Sequence, residues 1–221
     1  MRSDRGLDRF ITFLDAVVAI AITLLVLPLA EVIGGAHVPA HVAEVFTENA
    51  APFGAFLLSF AVIARLWTGH HRMVERVGGY DTAFVVINLA WVLTIVFLPF
   101  ATQLAAAYPA RDRLAVAVYL GTITLSSVFL AMAAVLVWHR PALRRRGITQ
   151  RNAFPRAAFL TTGLLVLAFL LGTTIPAVNY FGLLLLLLTG PLDRMLPHRS
   201  EVEAADPGPP ENQHEPLNPS P

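Results

Sequence analysis

Long apolar stretches alternate with short polar segments along most of this chain. The first stretch runs from Arg9 to Ala30, and the next three run from about Pro52 to His70, from Thr82 to Ala107 and from Leu114 to Trp138. About 20 apolar residues in a helix, at a rise of roughly 1.5 Å each, cross the 30 Å hydrocarbon core of a bilayer. These four stretches are therefore predicted to be transmembrane helices, which we call spans 1 to 4.

A fifth apolar stretch, from Ala157 to Thr189, carries no charge and is too long for one span. The segment Gly172–Pro176 contains residues that interrupt helices and divides the stretch into predicted spans 5 and 6. The predicted fold is thus an all-α polytopic membrane protein with six transmembrane helices in residues 1–195. Residues 196–221 are acidic and rich in proline, which is typical of a disordered tail.

Composition supports a membrane protein, with 56% hydrophobic and 14% charged residues and a mean hydropathy of +0.63. All 16 basic residues are arginines, and all but Arg111 and Arg113 fall on one predicted side of the membrane. The positive-inside rule then places both termini in the cytoplasm. We expect an integral membrane protein in contact with the lipid bilayer. Contact with nucleic acid is not expected, because no basic nucleic-acid patch is visible.

Several polar side chains interrupt the spans and are predicted to lie at similar depth. They are Arg9, Asp15, Arg65, Trp67, His70, His71 and Asn88. Polar residues inside spans pair with one another or line a water-filled path. Three roles stay open at this point: a structural packing network, a proton relay through Asp15 and a histidine, or direct contact with an ion. A resident metal site is not expected, because adjacent histidines on a helix point about 100° apart.

One apolar stripe on span 1 is a second candidate for function. Ile20, Thr23, Leu24 and Leu27 recur at helical spacing and form one face, which suits either a partner helix or a pore axis. Enzyme motifs such as a glycine-rich phosphate loop, HExxH or GxSxG are absent from the sequence, as is cysteine. The chain is therefore not expected to be an enzyme or to carry a cofactor.

The polar and apolar positions of span 1 together resemble a family signature. Arg9-x-x-x-Phe13-Leu14-Asp15, followed by the run Ala19 to Leu27, is similar to the pattern RxxxFSD…AIxxTLLxL of the transmembrane protein 175 family of potassium channels. The resemblance continues through Trp67-x-x-His70-His71-Arg72 and through Asn88-Leu89…Leu98-Pro99-Phe100-x-Thr102. It covers spans 1 to 3. Leu14 departs from the serine that is usual in the family.

The resemblance implies a potassium channel whose pore is lined by span 1 of each subunit, with single-repeat bacterial members assembling as homotetramers. It therefore also implies a bacterial plasma membrane as the location. It also implies that the pore constriction lies at Ile20, three positions before Thr23, with Leu24 and Leu27 on the same stripe. Bound K⁺ would then be transient, and the polar network would hold span 1 in place. The TVGYG filter sequence is absent, so selectivity is expected from apolar and hydroxyl side chains.

Two other classes of function remain as alternatives. A proton- or sodium-coupled secondary transporter would use Asp15 as its carrier carboxylate and would need discontinuous helices or an internal repeat. No repeat between the halves of the chain is evident. A membrane sensor whose tail binds a partner is favoured only by the composition of the tail.

Overall fold

The computed structural model describes residues 4–34, 41–109, 112–148 and 155–174. Seven α-helices occur in these ranges, together with a short 3₁₀ helix at Pro141–Leu143. The α-helices are α1 (Asp4–Leu24), α2 (Leu27–Gly34), α3 (Val42–Glu48), α4 (Ala50–Val74), α5 (Thr82–Ala107), α6 (Arg113–His139) and α7 (Arg156–Thr174).

Within the described residues, five helical segments are long and apolar enough to cross a membrane. They are Arg5–Val32, which joins α1 and α2, and the four helices α4, α5, α6 and α7. This confirms the prediction of an all-α polytopic membrane protein and the positions of spans 1 to 5. Span 6 and the acidic tail lie outside the described residues.

Span 1 was expected as one continuous helix, but it is interrupted by a turn at Leu25 and Val26. The amides of these residues bond to carbonyls only three positions back, at Ile22 and Thr23, both at 3.3 Å. Pro28 explains the interruption, because proline has no amide hydrogen for the carbonyl of Leu24 and its ring crowds that carbonyl. Pro99 lies inside α5 without ending it.

The connections between spans contain more structure than their polar sequences predict. Helix α3 lies in the polar connection between spans 1 and 2. It begins after His41, whose amide donates to the Glu44 carboxylate at 3.3 Å, a pairing that favours helix initiation. Helices α5 and α6 start similarly, since Asp81 accepts from the Phe84 amide at 2.8 Å and Asp112 accepts from the Leu114 amide at 2.9 Å.

The core is centred on α5 and α6, and α1 and α4 pack against it. Trp91, Tyr119 and Phe84 are the largest of its fully buried side chains. Hydroxyl groups connect the helices within this apolar surrounding. Ser59 on α4 shares a 2.8 Å hydrogen bond with the Tyr119 hydroxyl, and the Thr102 hydroxyl lies 2.8 Å from Ser59 Oγ.

A second hydroxyl contact joins α6 to α7. Ser127 Oγ lies 2.7 Å from Thr162 Oγ1, and the Thr162 hydroxyl also approaches the Ser127 carbonyl at 3.2 Å. The polar residues of α6 thus contribute to close helix packing, in which interhelical hydroxyl bonds replace the water that the membrane lacks.

Candidate pore-lining face and its anchoring network

Helix α1 has two apolar faces with opposite surroundings. Leu14, Val18, Ala21 and Leu25 are buried, and Leu25 is only 2% exposed. Ile20 is 59% exposed, Leu24 is 45% exposed, and Leu27 at the start of α2 is 51% exposed. The predicted stripe therefore faces away from the body of the subunit, and the turn at Leu25 and Val26 does not bury it.

Thr23 is the one polar member of the exposed stripe. Its hydroxyl donates to the carbonyl of Ile20 at 2.8 Å. Because the hydroxyl hydrogen is used inside the helix, the oxygen offers only its lone pairs outward. A cation passing along this face would meet an acceptor one turn from the apolar side chain of Ile20.

A side-chain hydrogen bond connects Asp15 to α4. Trp67 Nε1 donates to Asp15 Oδ1 at 2.9 Å. The ring of Trp67 in turn stacks on the imidazole of His71, with centroids 5.4 Å apart. Asp15 lies about 140° around the helix from Ile20, so its carboxylate belongs to the side of α1 that meets α4 and not to the exposed stripe.

His70 and Asn88 form a buried polar pair between α4 and α5. His70 Nε2 lies 2.9 Å from Asn88 Oδ1, and Asn88 Nδ2 donates to the carbonyl of Phe84 at 2.8 Å. Since the amide nitrogen of Asn88 is a donor, its oxygen must accept, and His70 Nε2 carries the hydrogen. The imidazole also stacks on Trp91 at a centroid distance of 4.1 Å and an angle of 4°.

This pair has little access to water, as His70 is 1% exposed and Asn88 is fully buried. His70 Nε2 and both polar atoms of the Asn88 amide have hydrogen-bond partners, so burial leaves these groups satisfied. The arrangement suits a rigid connection between two helices better than a proton path.

The other three residues of the predicted polar network are not part of these two hydrogen-bonded pairs. His71 is exposed and lies 3.6 Å from the Glu75 carboxylate, on a different side of α4 from His70. Arg65 is half-buried on α4. Arg9 is exposed, and eleven residues separate it from Ile20, which places it within about 20° of the exposed stripe. In residues 4–34, 41–109, 112–148 and 155–174, no group of three potential metal-ligating side chains is found.

The sequence did not predict the burial of Leu14 or the contact of Trp91 with His70. Leu14, at a position where the family signature usually has serine, is fully buried in the core. Trp91 covers one face of His70. The spacing of Trp91, three residues after Asn88 on α5, would have placed both on one face of that helix.

Apolar helical spans around a buried polar network, with one helix face left exposed, define an integral membrane protein of the all-helical class. The family model described as "Endosomal/lysosomal potassium channel TMEM175" matches residues 9–99. A potassium channel of Chamaesiphon minutus is 34% identical over 154 residues, which are 65% of this chain and 70% of that protein. The chain belongs to the TMEM175 family.

Other relatives and a solved structure agree with this assignment. A potassium channel of Streptomyces collinus is 33% identical over 58% of this chain and 61% of its own length. The human endosomal/lysosomal proton channel TMEM175 is 27% identical over 46% of this chain, but that match spans 20% of the human protein. The crystal structure of a lysosomal potassium-selective channel TMEM175 homolog from Chamaesiphon minutus superposes with a TM-score of 0.70 and 27% identity, covering 86% of this chain and 98% of that one.

The chain is therefore a member of an ion-channel family. Membership confirms the prediction that it is not an enzyme.

Proposed function

We propose that the chain is one subunit of a potassium-permeable channel whose pore is lined by the exposed stripe of α1 and α2. The exposure of Ile20, on the helix that carries the family signature, is the observation that supports this most. The potassium-channel names of the two bacterial relatives and of the solved structure support K⁺ as the permeant ion.

Ile20 forms the constriction in this proposal, and Thr23, Leu24 and Leu27 continue the pore wall. A narrow apolar ring is a barrier because an ion that loses water there gains no ligand in return. The oxygen of Thr23 compensates part of that loss. Ions that release water more readily then pass more easily, and the TVGYG sequence is not required.

A single stripe cannot enclose a pore, so several copies must meet on a rotation axis. We propose a homotetramer with four α1 helices around that axis. Native mass spectrometry in nanodiscs tests this directly. Tetramers are expected, and a monomer that retains channel currents would contradict the assembly.

Proton permeation is the second candidate, favoured by the name of the human relative. Between Asp15 and Glu31, however, no residue of the chain titrates, so protons would cross the apolar ring only through a continuous file of water. A proton- or sodium-coupled transporter using Asp15 is disfavoured by the position of this carboxylate away from the stripe. Three functions are thus to be distinguished: a potassium channel, a proton channel and a coupled transporter. Unitary currents in a planar bilayer distinguish them when recorded first under opposed K⁺ and Na⁺ gradients and then under a pH gradient. Stepwise K⁺ currents support the proposal, and coupled uptake without unitary steps contradicts it.

The arginine distribution supports a plasma-membrane protein with both termini in the cytoplasm. Because the chain has no cysteine, single introduced cysteines report sidedness cleanly. Ala142→Cys and Leu114→Cys are at exposed positions at opposite ends of α6. We expect an impermeant maleimide to label Leu114→Cys in intact cells and Ala142→Cys only after lysis. The reverse pattern would overturn the orientation.

A further inference from the structure

Two loops at one end of the bundle are joined by backbone hydrogen bonds. The loop between α4 and α5 meets the loop after α6, with Gly78 N donating to the Leu143 carbonyl at 2.9 Å and Arg145 N donating to the Arg76 carbonyl at 2.8 Å. Val77 and Arg144 form an isolated antiparallel bridge between them. The loops approach so closely that a Cβ atom on Gly78 would lie 2.8 Å from the Cα atom of Arg145.

This pairing places like charges opposite each other. In the antiparallel register, Arg76 stands opposite Arg145, one position from the bridge at Arg144. Like charges directly opposite on paired strands destabilise the pairing. In the described part of the chain, no carboxylate pairs with these three arginines: Asp81 is paired with Arg140, and Glu75 with His71.

Arg144 adds a second observation. Its Nε atom is buried and has no hydrogen-bond partner among the described residues. A buried donor without a partner carries a desolvation cost, which is larger for a charged group. Both features are relieved by one anion that several guanidinium groups share.

The position of the loops indicates the source of that anion. They lie where α4 and α6 end and α5 begins, and Tyr80 and Trp138 lie beside these helix ends. Tyrosine and tryptophan are enriched at the membrane interface, where lipid headgroups lie. Guanidinium groups bind phosphate through paired hydrogen bonds.

We propose that Arg76, Arg144 and Arg145 form a phosphate-binding site for the headgroup of an anionic phospholipid. The lipid completes the junction between the two loops by supplying the negative charge that the described residues do not supply there. This role is independent of which ion the channel conducts.

Native mass spectrometry of the full chain, titrated with phosphatidylglycerol or phosphatidylcholine, tests the site. Removing two guanidiniums with Arg76→Gln and Arg145→Gln is expected to raise the dissociation constant for phosphatidylglycerol about tenfold or more. The charge-matched control, Arg72→Gln with Arg146→Gln, removes two exposed arginines at the same end of the bundle but outside the bridge, and it is expected to change the dissociation constant less than about twofold. An equal loss of phosphatidylglycerol affinity in both double variants would show diffuse electrostatic attraction and contradict the proposed site.

Arg145→Lys is a milder variant at an exposed position, and it covers the case in which the double variant does not fold. It keeps the charge but loses the planar guanidinium group. A specific phosphate site therefore predicts weaker phosphatidylglycerol binding, whereas diffuse attraction predicts unchanged binding. Unchanged binding in Arg145→Lys would contradict the proposal.

Two further arms separate the lipid from other anions. If inorganic phosphate alone bound as tightly as the lipid and displaced it, the assignment to a headgroup would be wrong. The tail also carries carboxylates, at Glu201, Glu203, Asp206, Glu211 and Glu215. A chain ending at residue 199 is expected to bind the lipid as the full chain does. Lipid binding that appears only after this truncation would assign the site to the tail.

Discussion

The two faces of α1 are alike in composition and opposite in surroundings. Leu14 and Leu25 belong to a buried face, whereas Ile20 and Leu24 belong to an exposed one. Both faces are apolar because lipid, protein core and a dewetted pore all exclude charge. Hydrophobicity therefore does not distinguish the buried face from the exposed face of this helix, and only the position of the remaining helices does.

The largest expected difference in stability is between two leucine-to-alanine substitutions, one on each face of α1. Leu14→Ala removes a fully buried side chain and leaves a cavity, which is expected to cost about 3 kcal/mol of stability. Leu24→Ala, on the exposed face, is expected to cost less than about 1 kcal/mol. Thermal unfolding in detergent, followed by tryptophan fluorescence, measures both. Similar losses would mean that the two faces are not distinct.

A smaller effect is expected from the contact that orients these faces. Trp67→Phe removes the donor of the 2.9 Å bond between α1 and α4, and Asp15→Asn keeps an acceptor oxygen but removes its charge. A double-mutant cycle is expected to give a coupling of about 1 to 2 kcal/mol. The ion preference of the assembled channel is expected to stay the same, because Asp15 lies off the stripe. A folded tetramer of Asp15→Asn that lost proton-coupled uptake would instead establish the transporter.

The sequence predicted most of this arrangement because its signals are strong. Apolar runs long enough for a bilayer gave the spans, and shared depth brought together Asp15 with Trp67 and His70 with Asn88. The adjacency of His70 and His71 correctly implied different directions, since one is buried and the other is exposed.

What the sequence reasoning missed concerns direction around a helix and local backbone. Arg9 was grouped with the network by depth, although its spacing from Ile20 places it on the exposed side. The turn before Pro28 was missed because the apolar pattern continues across it. The pairing of the loops at Gly78 and Leu143 depends on contacts between distant segments, which no local pattern contains.

The smallest effect is expected at the end of the bundle, away from both faces. The amide of Phe84, together with the guanidinium of Arg140, holds the pKa of the Asp81 carboxyl below its ordinary value of 3.8. The ionised form is thus favoured by folding, so its contribution is full above the unfolded pKa and is lost as pH falls through the folded pKa. The contribution is small because Asp81 is largely solvated.

The direction of this pH dependence is checked by measuring the free energy of unfolding between pH 6 and pH 2.5, limits that roughly bracket the pKa values of carboxyl groups. The difference in stability between the wild type and Asp81→Asn is expected to be constant at the upper end and to shrink toward the lower end. A difference that grew with acid would contradict the role assigned to the ionised carboxylate.

The central claim is that Ile20 faces the ion path. Ile20→Asn makes the proposed narrow ring polar. Val26→Asn is a matched control because Val26 is 50% exposed but lies in the turn after α1, outside the stripe. Leu25→Asn serves less well, since Leu25 is buried and its replacement disturbs packing. In planar bilayers with K⁺ on one side and Na⁺ on the other, Ile20→Asn is expected to raise the unitary conductance and move the reversal potential toward zero, while Val26→Asn leaves both near wild type. Unchanged permeation in Ile20→Asn, or a larger change in Val26→Asn, would show that the pore lies on another side of α1.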